Sequence, residues 1–305
     1  MRTPFLLSAC LALFAAPALS CEGRLVEGAD YVAAPICAPE AAQRIVVLDP
    51  TYSLGMALEL DLPVVGAPMF GMSDAALHED ALARGVADLG AFTEPSLEAI
   101  AALRPDLIIG SGMLGEGVQA IASQIAPTVM ITAENWKTYY RRLAEATGRA
   151  NAAEEILGRF EARVEALKPR IPDQTVSVIR ITPWDFQVYL DSPQAYAPFL
   201  IMRELGVKRP PYETAEGGET MKRPDWEELS GLSGDILLYI VGGSNDSAES
   251  GRHEEVTGNP LWKMLPAVEA GRVHRLDPGI WMEFNGAGSA NRVLDDIERY
   301  IAGGA

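Results

Sequence analysis

Arginine and aromatic residues gather where the sequence leaves predicted strands. Arg180, Trp184, Phe186 and Tyr189 follow one strand, Trp281 and Phe284 follow another, and Tyr196 and Trp226 lie close by in sequence. A guanidinium is a suitable partner for carboxylate or catecholate oxygen, and flat rings pack on ligand carbon. Ligands of open α/β sheets sit beyond the carboxyl ends of strands, so this set predicts a cleft that binds a small molecule. Taken singly, each ring also fits the plainer role of core or rim filler.

No arrangement of catalytic residues accompanies them. GSGMLG (110–115) lacks the spacing of a nucleophile elbow, and the glycines of GSG and VGGSND form neither GxGxxG nor a phosphate loop with Lys. Both stretches read as turns at strand ends. His78, His253 and His274 are far apart and lack the spacing of a zinc site, so a histidine-built metal site is not expected. The enzyme-class alternative, a secreted α/β hydrolase, has no recognisable nucleophile, base and orienter.

The elements that must position these groups alternate. RIVVLDP (44–50) is a continuous apolar run suited to a strand covered on both faces, 51–62 has helical spacing, and Leu62 to Gly66 restarts an extended segment. The beat recurs at PSLEAIAALR with PDLIIGSG and at GVQAIASQIA with PTVMIT, which predicts parallel strands with crossover helices. From Asn151 an uninterrupted amphipathic helix is predicted over 151–168, with Ile156, Leu157, Phe160, Val164 and Leu167 on one face, Asn151 as cap and Pro169 as stop. Eighteen residues give a rod of about 27 Å, long enough to join two domains, though one more crossover helix has the same periodicity. Alternation resumes beyond it, so the expected fold is α/β: two Rossmann-like lobes with central sheets, 21–150 and 169–305, joined by that helix.

One internal match supports two related halves. PSLEAIAALRPDLII (95–109) and PDWEELSGLSGDILL (224–238) align without gaps. Ser96 and Asp225 are preferred caps, which places Glu98 and Glu227 in a first helical turn, favoured by the helix dipole and exposed. Each lobe is thus expected to display one acidic residue at an equivalent place.

The 305 residues are 48% hydrophobic and carry a formal net charge of −17, which argues against nucleic acid or an anionic membrane surface as partner. Arg2, the apolar run 5–16 and Ala18-Leu19-Ser20 read in order as a secretory signal peptide over 1–20. Cys10 leaves with it, and Cys21 and Cys37 remain as an even pair in an oxidising compartment. Two readings stand: a disulfide closing this segment, favoured on chain-closure grounds, or a lipid anchor on Cys21, which usually wants Leu where Ala18 stands.

RIVVLDP followed by a helix, DLGAFTEPSLEAIAALRPDLIIGS, QIAPTV, a single long helix and NPLWKMLPAVEAGRVHRLD with a terminal helix resemble, in order and spacing, the periplasmic solute-binding proteins of ABC importers for iron siderophores, haem and cobalamin. The resemblance covers nearly all of the mature chain. It implies a noncatalytic, monomeric protein that captures a ferric siderophore between its lobes and delivers it to an inner-membrane permease dimer. It implies no cofactor of its own, the iron arriving inside its chelate. It also implies that Glu98 and Glu227 dock into arginine pockets on the permease. Siderophore binders of this type often read GxRTEP where this chain reads GAFTEP, with Phe92 at the arginine position. Arg180 would then supply the positive charge from the other lobe, with Trp184, Trp281 and Phe92 on ligand carbon. Haem or cobalamin is the alternative cargo: Phe92 suits a flat apolar macrocycle, and Tyr189, Tyr196 or a histidine could approach its metal.

Overall fold

The computed structural model describes residues 21–93, 96–242 and 251–303; the signal segment 1–20, Glu94 and Pro95 of the TEP motif, and most of VGGSND lie outside them. Strands β1 (Arg24–Val26) and β2 (Ile36–Ala38) pair antiparallel, and a Cys21–Cys37 disulfide ties this hairpin to the start of the chain. The first lobe is a five-stranded sheet of β3 (Ile45–Val47), β4 (Val64–Ala67), β5 (Ala87–Asp88), β6 (Leu107–Ser111) and β7 (Thr128–Ile131). Its order is β5-β4-β3-β6-β7 and every pairing is parallel, as the buried apolar runs predict.

The second sheet contains β8 (Val176–Ile181), β9 (Phe186–Tyr189), β10 (Met221–Lys222), β11 (Ile236–Val241) and β12 (Val273–Leu276), in the order β10-β9-β8-β11-β12. Strands β8, β11 and β12 are parallel, but β9 and β10 run antiparallel. A tight turn at Thr182 to Asp185, held by the Thr182 N–H to Asp185 O bond of 3.0 Å, sends the chain straight back, so Phe186 and Tyr189 lie on a strand and not beyond one.

Helices α1 (Gly55–Glu59), α2 (Ala75–Ala83), α3 (Leu97–Ala102), α4 (Gly115–Ala122) and α5 (Trp136–Ala146) belong to the first lobe. The long helix α6 spans Ala150–Leu167 and buries Ala153, Leu157, Phe160, Val164 and Leu167. It starts one residue before the expected range: the Arg149 N–H still closes α5 on the Ala144 carbonyl at 2.7 Å, so helix restarts at once and Asn151 falls inside the first turn. Pro169 sits in a single 3-10 turn, Lys168–Arg170, that ends the rod. In the second lobe α7 (Ala197–Glu204) is followed by four short helices, α8 (Arg252–Gly258), α9 (Pro260–Lys263), α10 (Pro266–Glu269) and α11 (Pro278–Trp281), and by α12 (Ala287–Ile297).

Two expected helices are shortened. The one over 51–62 is reduced to α1, because the chain first makes an irregular turn in which Tyr52 has φ 70° and ψ −65°. PDWEELSGL forms only a 3-10 turn, Glu228–Gly231, yet the cap works: Asp225 Oδ1 accepts the N–H groups of Glu227 (2.9 Å) and Glu228 (3.0 Å). Ser96 Oγ likewise accepts the Ala99 N–H at 3.2 Å, and Glu98 and Glu227 are both exposed.

The rod is not the lobes' one connection. Glu59 on α1 accepts the N–H groups of Ala287 (3.0 Å) and Gly288 (2.6 Å) at the start of α12, where a carboxylate meets the positive end of the helix dipole. In return Glu283 Oε2 accepts those of Ser73 (2.6 Å) and Asp74 (2.9 Å), and the buried Asp74 carboxylate pairs with Arg292. Backbones close in where side chains are missing: a Cβ on Gly55 would lie 2.5 Å from the Asn285 carbonyl oxygen, and one on Gly279 would lie 2.6 Å from that of Ser73. One apolar cluster runs through this seam, from Ile45 and Met56 through Phe160 to Val176, Trp281 and Val293.

Candidate functional site

Each sheet has one place where its strand order reverses, between β3 and β6 in the first lobe and between β8 and β11 in the second, and such a reversal opens a crevice at the carboxyl ends of the strands. A polar side chain bridges each reversal. Asp49, just beyond β3, accepts the Ser111 N–H at the end of β6 with Oδ2 at 2.8 Å, and the same oxygen accepts Ser53 Oγ–H at 2.6 Å. Arg180, near the end of β8, donates from Nη2 (2.9 Å) and Nε (3.2 Å) to the Gly242 carbonyl just after β11.

Both residues line one cavity of about 400 Å³ between the lobes. Pro50, Thr51, Tyr52, Phe92, Ser111, Met113 and Leu114 complete its first-lobe wall, and Tyr189, Tyr196 and Met282 its second. A broader hollow of about 890 Å³ lies within the first lobe near Cys37 and α4, but no cationic or aromatic side chain lines it. The interlobe cavity combines several rings, a cation and a carboxylate where both sheets reverse, as a site for an organic ligand requires.

Burial pushes the Asp49 carboxyl up to about 6, although the Ser53 and Ser111 hydrogen bonds favour its charged form. Burial likewise raises the phenols of Tyr52, Tyr139 and Tyr196, which stay neutral at physiological pH. Tyr139 reaches Asp49 through Ser53. Tyr189 is raised by burial and lowered by the neighbouring Arg180 guanidinium, and its hydroxyl bonds Gln187 at 3.1 Å while its ring stacks on Phe199 at 4.4 Å. Tyr196 accepts the Phe284 N–H at 2.8 Å and donates to the Met282 carbonyl at 3.3 Å. Tyr52 joins the lobes: its N–H reaches the Phe284 carbonyl at 3.0 Å and its ring packs against Tyr139, Tyr196 and Phe284.

Of the residues singled out in the sequence, Phe92, Arg180, Tyr189 and Tyr196 therefore converge. Trp281 and Phe284 do not line the cavity. Both are wholly buried, Trp281 with Nε1 bonded to Asp296 at 2.8 Å and Phe284 packed against Trp136 and Tyr52, so they support the wall from behind. Trp184 is 70% exposed on the β8–β9 turn and does not line the cavity. Phe186 and Trp226 pack on each other with the Arg252 guanidinium above, in a separate cluster of the second lobe. The three histidines sit apart on α2, α8 and β12, and among the described residues no cluster of His, Cys, Asp or Glu could hold a metal. Sequence reasoning missed Asp49, Tyr52 and Ser111, although LDP after a strand and GSG at the end of another were the signals available.

The sequence profile of periplasmic binding proteins matches residues 45–279. A probable siderophore-binding lipoprotein of Bacillus subtilis, YfiY, is 33% identical over 277 residues, 86% of this chain and 83% of that one. The achromobactin-binding periplasmic protein of Dickeya dadantii is 29% identical over 230 residues, 72% and 74% of the two chains. Among solved structures, a FhuD-fold periplasmic binding protein component of a ferrichrome ABC transporter from Bacillus subtilis superposes with a TM-score of 0.73 at 25% identity, covering 88% of this chain and 97% of that one. The chain belongs to the periplasmic binding protein family, a family of substrate-binding proteins and not of enzymes.

Proposed function

From membership of that family we propose that this protein is the extracytoplasmic binding component of an ABC importer, capturing a ferric siderophore or related iron chelate in the interlobe cavity and handing it unchanged to a membrane permease dimer. The observation that carries the reading is the cavity itself: it lies where both sheets reverse, one guanidinium and several rings face it, and no catalytic arrangement accompanies them. Arg180, whose guanidinium is held to the Gly242 carbonyl through Nε and Nη2, binds anionic oxygen of the chelate. Phe92, Tyr52 and Tyr196 pack on its carbon skeleton. Named relatives that bind siderophores, and the siderophore-transport structure of like fold, support the same cargo class.

Glu98 and Glu227, exposed just after the capping residues Ser96 and Asp225 on the two lobes, meet cationic pockets on the two permease subunits, where opposite charge fixes register and speeds encounter. The exported chain begins at Cys21 and acts as a monomer. The Cys21–Cys37 disulfide supports the bridged reading of Cys21 over a lipid anchor there. Calorimetric titration with ferric hydroxamate, catecholate and citrate complexes beside haem and cobalamin tests the cargo. Binding heat with a ferric chelate, and neither heat nor a shift of the Soret band with haem, is expected, whereas haem binding alone would replace the reading. The double variant Glu98→Ala with Glu227→Ala should keep ligand affinity and lose uptake; normal uptake would refute the docking role.

A further inference from the structure

The cavity's charge count limits what it can hold. Arg180 is the one cationic side chain among the described residues that line it, and two of its donor nitrogens are already engaged by Gly242. Asp49 faces it from the equivalent reversal of the other sheet, so the two lobes contribute one charge of each sign. The remaining lining is aromatic, thioether, aliphatic or hydroxyl. The chain's formal charge of −17 repels polyanions from further away.

A tris-catecholate of ferric iron carries three negative charges, and a cavity that strips its water would return one guanidinium and one opposing carboxylate. Desolvation of charge without matched partners is costly, several kcal/mol per ion in order of magnitude. A ferric trihydroxamate is close to neutral, loses little hydration on entry, and presents oxygen edges to one guanidinium and alkyl chain to rings and methionines. Resting on the proposed function, we infer that this site selects ferric chelates of low net charge, of the hydroxamate type, and that Asp49 is a specificity-determining residue that turns away polyanionic chelates.

Asp49 is suited to that role because it is fixed. Ser53 Oγ, Ser111 N–H and, through Ser53, Tyr139 hold its carboxylate at the wall, so it cannot swing out to solvent when a ligand enters. Its carboxyl titrates near 6, so most of it is charged at neutral pH.

The test compares ferrioxamine-type ferric trihydroxamate, ferric dicitrate and a ferric tris-catecholate on the intact protein by isothermal titration at pH 7.5. The trihydroxamate should bind at least about 100-fold more tightly than the tris-catecholate, with dicitrate weaker than the trihydroxamate. Equal or tighter binding of the tris-catecholate overturns the inference while leaving the iron-chelate function standing. Failure of every ferric chelate to bind overturns both. Asp49→Asn should narrow the ratio about tenfold, and an unchanged ratio removes Asp49 from the selection. Met113→Lys, a change at a 90% exposed lining position that folding tolerates, should raise tris-catecholate affinity about tenfold. No gain there would contradict the charge count.

Discussion

The lobes meet in two places built on opposite principles. At the seam almost every group is spent: glycines let backbones close to contact, Glu59 and Glu283 reach across in opposite directions to backbone N–H groups, and Asp74 is paired with Arg292. At the cavity side chains end in open space, with Met113 90% and Phe92 45% exposed. Tyr52 belongs to both. Its strained backbone, at φ 70°, is held by the Phe284 carbonyl on the seam side while its ring forms cavity wall. Such a conformation costs about 1–3 kcal/mol and persists only when its surroundings over-determine it. A tight seam therefore fixes the distance between walls that would otherwise need a ligand to set them.

The contrast can be broken most severely at a glycine. Gly55→Val would drive its side chain into Asn285, and a loss of about 3 kcal/mol or more is expected in denaturant unfolding, with the ligand site lost as the lobes shift. Asp74→Ala comes next. It leaves Arg292 without its buried partner and should cost about 3 kcal/mol, where a surface pair such as Lys208 with Asp173 is worth less than about 1.

Asp49 sharpens the comparison from the cavity side. Its carboxyl binds a proton more tightly folded than unfolded, moving from 3.8 to about 6, so its contribution is fully present below pH 4 and lost as pH rises through 6. Wild-type stability relative to Asp49→Asn should fall by about 2 to 3 kcal/mol between pH 4 and 7. A flat difference would show that Asp49 is not desolvated as described. The smallest effect is expected from Phe92→Ala: stability within about 0.5 kcal/mol, since the ring is half exposed, and ligand affinity down about fivefold.

The seam and the cavity also differ in how far the sequence announces them. Apolar runs such as RIVVLDP and LIIGS identify strands, because burial on both faces leaves a pattern in consecutive residues. The helix α6 was equally visible from its spacing. Arg180, Tyr189 and Tyr196 were singled out by the rule that strand exits point at clefts, and Phe92 by the resemblance at GAFTEP; all four line the cavity. The same rule misplaced Trp281 and Phe284, since the register and the hairpin turn decide which ring faces the gap and which the core. Nothing local marks the seam: Glu59 and Gly288 are 229 residues apart, and a carboxylate on a helix looks solvated until its distant partner is placed. Asp49 looked like turn punctuation in LDP, and only the pairing of β3 with β6 brings Ser111 to it.

The central claim is that an iron chelate is held, unaltered, where Asp49 and Arg180 face each other. Crystals of the protein with a ferric trihydroxamate, measured at the iron absorption edge, test it directly. The account predicts a single anomalous peak between the lobes, walled by Arg180, Tyr52 and Phe92, with the chelate intact around it. An iron peak in the first-lobe hollow near Cys37, or iron stripped of its chelate and bound by protein side chains, would contradict it.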